Sequence, residues 1–197
     1  MSLLEPPALF DAPAAVHRTY AELEAELDHF RGAPQDDGVL ELVVARPGPG
    51  KRVVLPEARL DVELGLVGDC WSTRPCRLTP DRSPHPGMQL NLMSSRVVAA
   101  VAVDPARRAL AGDQLYVDLD LSPENLPTGT RLSIGSAVVE VTAEPHTGCK
   151  KFVAHFGADA MRFVNGRLGR PLRLRGINAR VVQPGTVRPG DRVRKLP

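Results

Sequence analysis

The sequence predicts a mainly β protein with a few helices, an α+β chain whose short antiparallel strands curl or close into a barrel. Leu115, Val117 and Leu119 alternate with one tyrosine and two aspartates, the period of a half-buried strand. Short apolar runs of this kind recur between Pro-Gly and Thr-Gly turns. Many short strands with such turns are typical of a curled antiparallel sheet.

The strand patterns begin at residue 39 and continue to the end of the chain. The predicted strands are Val39 to Ala45, Arg52 to Leu55, Arg59 to Leu64, Gln114 to Leu119, Arg131 to Ile134, Ala137 to Thr142, Leu172 to Val182 and Arg192 to Lys195. The Gly-rich segment from Pro47 to Arg52 precedes a strand and lacks the Ser or Thr of a phosphate-binding loop, so we interpret it as a hairpin turn.

A helix is added in front of the barrel, over residues 13–31. Its apolar stripe at three- and four-residue steps consists of Val16, Tyr20, Leu23, Leu27 and Phe30. Asp11 can cap its start and Gly32 its end. Residues 32–38 are a linker, so the predicted domains are residues 1–38, helix and linker, and residues 39–197, the barrel. The helix is expected to pack on the barrel or on a second subunit, and a homodimer is left open.

Two further helices are predicted within the barrel domain. Ser94 can cap one that runs through Ala102, and another covers residues 158–164 and ends at Gly166. A short helical pattern also begins around Phe152.

Composition indicates a cytoplasmic protein that does not enter a membrane. There is no run of about 18 apolar residues and no basic and apolar leader. The three cysteines, Cys70, Cys76 and Cys149, are an odd number, so free thiols are expected rather than a disulfide framework.

The charge is unevenly distributed along the chain. Residues 1–149 carry 13 Lys and Arg against 21 Asp and Glu, whereas residues 150–197 carry 12 against 2. A basic C-terminal quarter favours an anionic partner. Nucleic acid ranks below a small anion because no aromatic stacking platform is visible nearby.

The loop from His146 to Phe152 is the first candidate for chemistry. It follows the predicted strand Ala137 to Thr142, and it places Cys149 before Lys150 and Lys151 near the start of a helix. Cations and a helix N-terminus favour the thiolate form of a cysteine. Local sequence leaves open whether Cys149 is reactive, ligates a metal or is inert.

The second candidate is a run of arginines close behind this loop, consisting of Arg167, Arg170, Arg173 and Arg175. Glycines and a proline lie between them, and such a backbone can approach an anion that guanidinium groups then bind. The alternative is an ordinary solvated basic surface. Cys149 with either His146, three residues before it, or His155, six after it, also suggests a Cys–His pair. A zinc site from Cys70, Cys76, His85, His146 and Cys149 is disfavoured by the spacing of its cysteines.

Five segments together resemble, in order, the MOSC domain of molybdenum cofactor sulfurases and of stand-alone bacterial proteins. They are Gly65 to Asp69, Pro123 to Leu126 with Gly129 to Gly135, Gly148 to Phe152, Arg173 to Val182 and Gly185 to Asp191. The resemblance covers about residues 39–195. It implies a β-barrel-like domain that binds a molybdopterin-type molybdenum cofactor, with Cys149 as the functional thiol.

The resemblance leaves three functions open. In the first, Cys149 ligates molybdenum and the protein reduces N-oxygenated substrates with electrons from a separate redox protein. In the second, Cys149 carries persulfide sulfur from a donor protein to a metal–sulfur centre. The third is a regulatory module that binds an anionic ligand without catalysis. The candidate cofactor-binding residues are Lys150, Lys151, Arg167, Arg170, Arg173, Arg175 and Asn125.

Overall fold

Eleven strands and four helices make up the part of the chain described by the computed structural model, residues 16–197. The strands are β1 Gly38–Ala45, β2 Val53–Val54, β3 Ala58–Asp61, β4 Gly65–Leu66, β5 Leu90–Ser94, β6 Leu115–Asp118, β7 Arg131–Ile134, β8 Ala137–Val141, β9 Ile177–Gln183, β10 Gly185–Val187 and β11 Arg192–Lys195. The helices are α1 Tyr20–Glu24, α2 Leu27–Arg31, α3 Ser95–Ala102 and α4 Lys150–Asn165. No helix in this range is long and apolar enough to cross a membrane.

Seven strands close into a barrel in the order β11, β7, β8, β9, β5, β6 and β1, and β1 pairs back with β11. All the barrel pairs are antiparallel except β5 with β6, which run parallel. The predicted α+β barrel is therefore confirmed, with one parallel pair inserted. Strand β2 extends the edge of β1, and β10, β3 and β4 form a small separate sheet.

Two apolar cores lie on opposite faces of the barrel wall. In β5 and β6, Leu92 and Leu115 belong to the core inside the barrel, whereas Met93 and Tyr116 belong to a second core with the helices. Successive strand residues point to opposite faces, so these two strands are buried on both sides. Strand β5 was not predicted because a strand buried on both faces shows little alternation.

The N-terminal helix differs from its prediction. It is divided into α1 and α2, and it starts only at Tyr20 because Thr19 forms a capping box with Glu22. Val16 lies before the helix and is 71% exposed. Leu23 and Phe30 are buried in the second core, so the helical segment packs on the barrel domain as expected. Asp11 lies outside the described residues, and the division of the chain at residue 38 stays a prediction.

Most of the other predicted elements lie within two residues of their observed bounds, but β3 ends at Asp61, three residues early, and β9 differs more. Strand β9 starts at Ile177, five residues later than predicted, because Arg173 and Gly176 have φ angles of 47° and 112° that no strand residue adopts. The short strands β4 and β10 were also missed. The turn predicted from Pro47 to Arg52 is confirmed, since it joins the antiparallel pair β1 and β2.

Candidate functional site

Cys149 lies at the start of α4, where the loop that leaves β8 enters the helix. Its backbone is extended, with φ −128° and ψ 176°, and its side chain makes no capping hydrogen bond. The thiol is exposed and free. The Cys149 thiol is therefore reachable from solvent.

Helix α4 folds back on itself directly behind this cysteine. Gly157 interrupts it with φ 87° and ψ 167°, a combination open essentially only to glycine. The two halves of the element are the two helical patterns seen in the sequence. As a result Asn165, at the far end, accepts a hydrogen bond of 3.0 Å from the backbone N–H of Gly148.

The residue before the thiol is held tightly. A Cβ atom added to Gly148 would lie 2.4 Å from Met161 Sδ, so only glycine fits without movement of that side chain. Asn165 also contacts Met161 Sδ at 3.3 Å. Met161 and Asn165 thus hold the loop at Gly148. Neither residue was predicted from the sequence.

A cavity of about 420 Å³ opens beside the loop. Its walls come from the end of β8, the loop before Cys149, the end of α4 and the turn before β9. The lining residues are Thr142, Ala143, Glu144, Pro145, His146, Thr147, Val164, Asn165, Arg170, Arg173, Arg175, Gly176 and Ile177. The volume is within the range of about 300–1,000 Å³ that is usual for small-molecule sites.

Three of the four predicted arginines meet at this cavity. Arg170 is exposed, whereas Arg173 is half-buried and donates to the backbone oxygen of Leu126 at 2.7 Å. Burial lowers the pKa of Arg173, which nevertheless stays charged. Arg175 is 6% exposed. The fourth arginine, Arg167, is exposed but is not among the residues that line the cavity.

The other candidate residues do not line the cavity. Lys150 and Lys151 are exposed on the first turn of α4. Asn125 donates to the backbone oxygens of Gln35 and Asp120 and accepts from Lys195 Nζ at 2.9 Å. Its amide is therefore used within the fold, where it holds the loop between β6 and β7.

A buried ion network supports the cavity floor. Arg175 Nη1 donates to both carboxylate oxygens of Asp113 at 2.8 Å, and Nη2 donates to the backbone oxygen of Ala111 at 3.0 Å. The guanidinium lies 5.0 Å from the ring centre of Phe152. His146 Nε2 lies 2.6 Å from Asp113 Oδ1. Asp113 was not predicted, because its partners are distant in the sequence.

Electrostatics set the protonation states of this network. Burial alone would raise the pKa of Asp113, but Arg175 and His146 hold it below its usual range. Burial, reinforced by Arg175, lowers the pKa of His146 although Asp113 opposes that shift. At neutral pH the network therefore consists of an ionised Asp113, a charged Arg175 and a neutral His146.

These shifts predict that the protein loses stability on acidification. Both folded-state pKa values lie below the unfolded values, so their stabilisation is complete above the unfolded pKa of His, about 6.5, and is lost as pH falls through the folded values. We expect the free energy of unfolding in urea to fall from about pH 7 to about pH 5. In His146→Gln the part of this slope that His146 contributes should disappear, whereas His155, whose pKa burial also lowers, still contributes. Equal slopes for the variant and the native protein would contradict the shift at His146.

Neither the zinc site nor the Cys–His pair is formed. Among residues 16–197 no three His, Cys, Asp or Glu side chains are grouped to hold a metal ion. Cys70 and Cys76 lie in the long connection between β4 and β5. Within residues 16–197 neither His146 nor His155 hydrogen-bonds to the Cys149 thiol, and His146 Nε2 contacts Asp113 instead.

The fold and the site define a class of protein: a closed, mixed β-barrel with an arginine-lined cavity next to an exposed cysteine at a helix start. A sequence model of the MOSC domain matches residues 85–194, which is more than half of the chain. The protein belongs to the MOSC domain family. This family is linked to molybdenum cofactor binding and sulfur-related functions.

Solved structures share the fold. The YuaD protein from Bacillus subtilis superposes with a TM-score of 0.58 at 18% identity, covering 79% of this chain and 93% of that one. YiiM from Escherichia coli gives a TM-score of 0.51 at 21% identity, covering 81% of this chain and 70% of that one. No curated protein matches the chain significantly. At these identities the likeness concerns the fold alone.

Proposed function

We propose that this protein binds a molybdopterin-type molybdenum cofactor in the arginine-lined cavity, with Cys149 as the thiolate ligand of the metal. The observation that carries the proposal is the position of the cavity. His146 and Thr147 line it, and Cys149 follows two residues later, at the start of α4. The same loop therefore forms part of the cavity wall and carries the thiol.

The donor set suits such a group. Within residues 16–197 the Arg170 side chain has no hydrogen bond or ion pair, so its planar guanidinium can bind a phosphate. Arg173 can share that phosphate because, in the same range, only its Nη1 donates. Arg175 Nε is fully buried without a hydrogen-bond partner, so one donor of this guanidinium stays unsatisfied behind the cavity wall. A thiolate is the soft ligand that a thiophilic metal prefers.

Within this proposal each residue has a physical task. Asn165 and Met161 hold Gly148, the residue before the thiol, and Asp113 keeps Arg175 in place. When bound, the cofactor supplies a metal centre able to exchange electrons with an N-oxygenated substrate. Reduction consumes electrons, so a separate redox protein is required.

A persulfide carrier is the second candidate, and the exposure of Cys149 favours it. The thiol is exposed and is not among the cavity-lining residues, so a partner protein can reach it. The thiolate would attack the outer sulfur of a donor persulfide, forming a new S–S bond and releasing the donor thiolate. A later acceptor would take that sulfur.

Molybdenum content tests the first proposal. We expect the native protein, purified from a host that makes the cofactor, to contain molybdenum by elemental analysis. The molybdenum content of Cys149→Ser should be lower by roughly tenfold or more. Loss of even a residue that only supports a metal ligand costs 10–100-fold in metal affinity. Cys76→Ser is the matched control, since Cys76 is also a free thiol but lies in the connection between β4 and β5, and it should keep the native content.

The other results separate the alternatives. Absence of molybdenum from the native protein and both variants would refute cofactor binding. Equal contents in native protein and Cys149→Ser would show binding without the thiol, as a non-catalytic module requires. A mass gain of one sulfur atom at Cys149 after exposure to a cysteine desulfurase would support the carrier.

A further inference from the structure

His146 presents one edge to the protein interior and leaves the other edge free. Its Nε2 atom bonds Asp113, and a Cβ added to Gly176 would lie 3.1 Å from its Cδ2 atom. These two neighbouring ring atoms therefore face the protein. Nδ1 lies on the opposite side of the ring, and the ring belongs to the cavity wall.

The bond to Asp113 fixes which ring nitrogen carries the proton. An ionised carboxylate only accepts hydrogen bonds, so the neutral imidazole must carry its hydrogen on Nε2 and donate it to Asp113 Oδ1. Nδ1 is then an unprotonated acceptor. It makes no hydrogen bond within residues 16–197 and is not among the fully buried, unpaired polar atoms there, and the His146 side chain is 12% exposed, so Nδ1 keeps contact with the cavity.

The groups around His146 make this acceptor distinctive. Asp113 bonds its Nε2 atom, and the charges of Arg175 and Arg46 also act on the ring. Arg170 and Arg173 line the same cavity. Glu144 is the one carboxylate among the lining residues, and it lies 3.7 Å from His85 Nε2. The wall thus combines cationic donors with a neutral acceptor.

We propose that His146 Nδ1 accepts a hydrogen bond from an N–H or O–H group of the cavity's ligand, so that the cavity selects anions that also carry such a donor. This inference rests on the proposed function and deepens it. The arginines bind the anionic group of the ligand, and His146 accepts a hydrogen bond from its N–H or O–H group. A heterocyclic phosphate with ring N–H groups has the required chemistry, whereas inorganic phosphate satisfies only the arginines.

His146→Gln separates the two roles of this residue. The glutamine amide nitrogen falls near the position of Nε2 and can still donate to Asp113, but the side chain has no acceptor at the position of Nδ1. His146→Asn is the complementary variant, because its amide oxygen falls near Nδ1 while the contact with Asp113 is lost. The probes are a pterin phosphate and inorganic phosphate, measured by calorimetry on the full chain.

We expect His146→Gln to melt like the native protein, to bind inorganic phosphate equally well and to bind the pterin phosphate roughly tenfold more weakly. A net hydrogen bond of about 0.5–1.5 kcal/mol corresponds to a change of that size or somewhat less. His146→Asn should be less stable but should keep more of the pterin phosphate affinity. In the native protein, NMR of the ring nitrogens should show Nδ1 unprotonated at neutral pH.

Two results would overturn the inference and are distinguishable from failure of the proposed function. Unchanged pterin phosphate binding by His146→Gln, or an Nδ1–H tautomer by NMR, would refute the acceptor role while leaving cofactor binding intact. Lack of binding of both probes to the native protein would refute the proposed function and this inference together.

Discussion

Replacement of Asp113 by alanine is expected to destabilise the protein by about 3–5 kcal/mol, the usual result of leaving one partner of a buried ion pair alone. Asp113 is fully buried and Arg175 is 6% exposed. The variant would leave a buried guanidinium without either carboxylate bond and would free His146. Urea denaturation monitored by circular dichroism measures the change.

Glu57→Ala is the matched control for this prediction. Glu57 pairs with Arg188 on the surface, where both side chains are about half exposed. Exposed pairs contribute about 0–1 kcal/mol, so this variant should stay close to the native protein. If Asp113→Ala and Glu57→Ala lower the free energy of unfolding by similar amounts, the buried network does not stabilise the fold as we describe.

Replacement of Gly176 by alanine is expected to cost more than about 3 kcal/mol and to lower the yield of folded protein. Its φ angle of 112° costs a residue with a side chain about 1–3 kcal/mol. In addition, a Cβ at this position would lie 2.1 Å from the backbone oxygen of Leu92. Backbone in the middle of the barrel cannot move aside, because Leu92 pairs with Ile177 in the β5–β9 ladder.

Gly190→Ala separates strain from collision. Gly190 has a φ angle of 97°, but apart from its chain neighbours no atom of residues 16–197 lies within 4 Å of a Cβ added there. We expect a loss of about 1–2 kcal/mol from backbone strain alone. Thermal melting and urea curves of both variants give the comparison, and equal losses would show that the contact with Leu92 is relieved at no cost.

Local sequence was sufficient for features that depend on neighbouring residues. Turn signals and alternation placed β7 and β11 at their observed bounds. The proximity of Cys149 to a strand end and a helix start was predicted because all three lie within a dozen residues. The run of arginines was also found. The sequence did not show which of them line the cavity: Arg170, Arg173 and Arg175 do, and Arg167 does not.

Features that depend on barrel closure were not predictable from one sequence. Asp113 meets His146 and Arg175 across 33 and 62 residues of chain. No spacing rule relates these positions, because the path of β6 through β9 around the barrel decides which side chains meet. The same holds for Asn165, which reaches Gly148 only after α4 turns at Gly157.

By itself the sequence determined the fold class, the family and the place of Cys149 between a strand end and a helix start, since strand alternation, turn residues and ordered motifs are local properties of the chain. Only the tertiary structure decided that the cavity has a buried Asp113–Arg175 pair beneath it and a neutral acceptor in its wall. The physical reason is that burial and long-range pairing, which set protonation and hydrogen bonding, exist only after the barrel has closed.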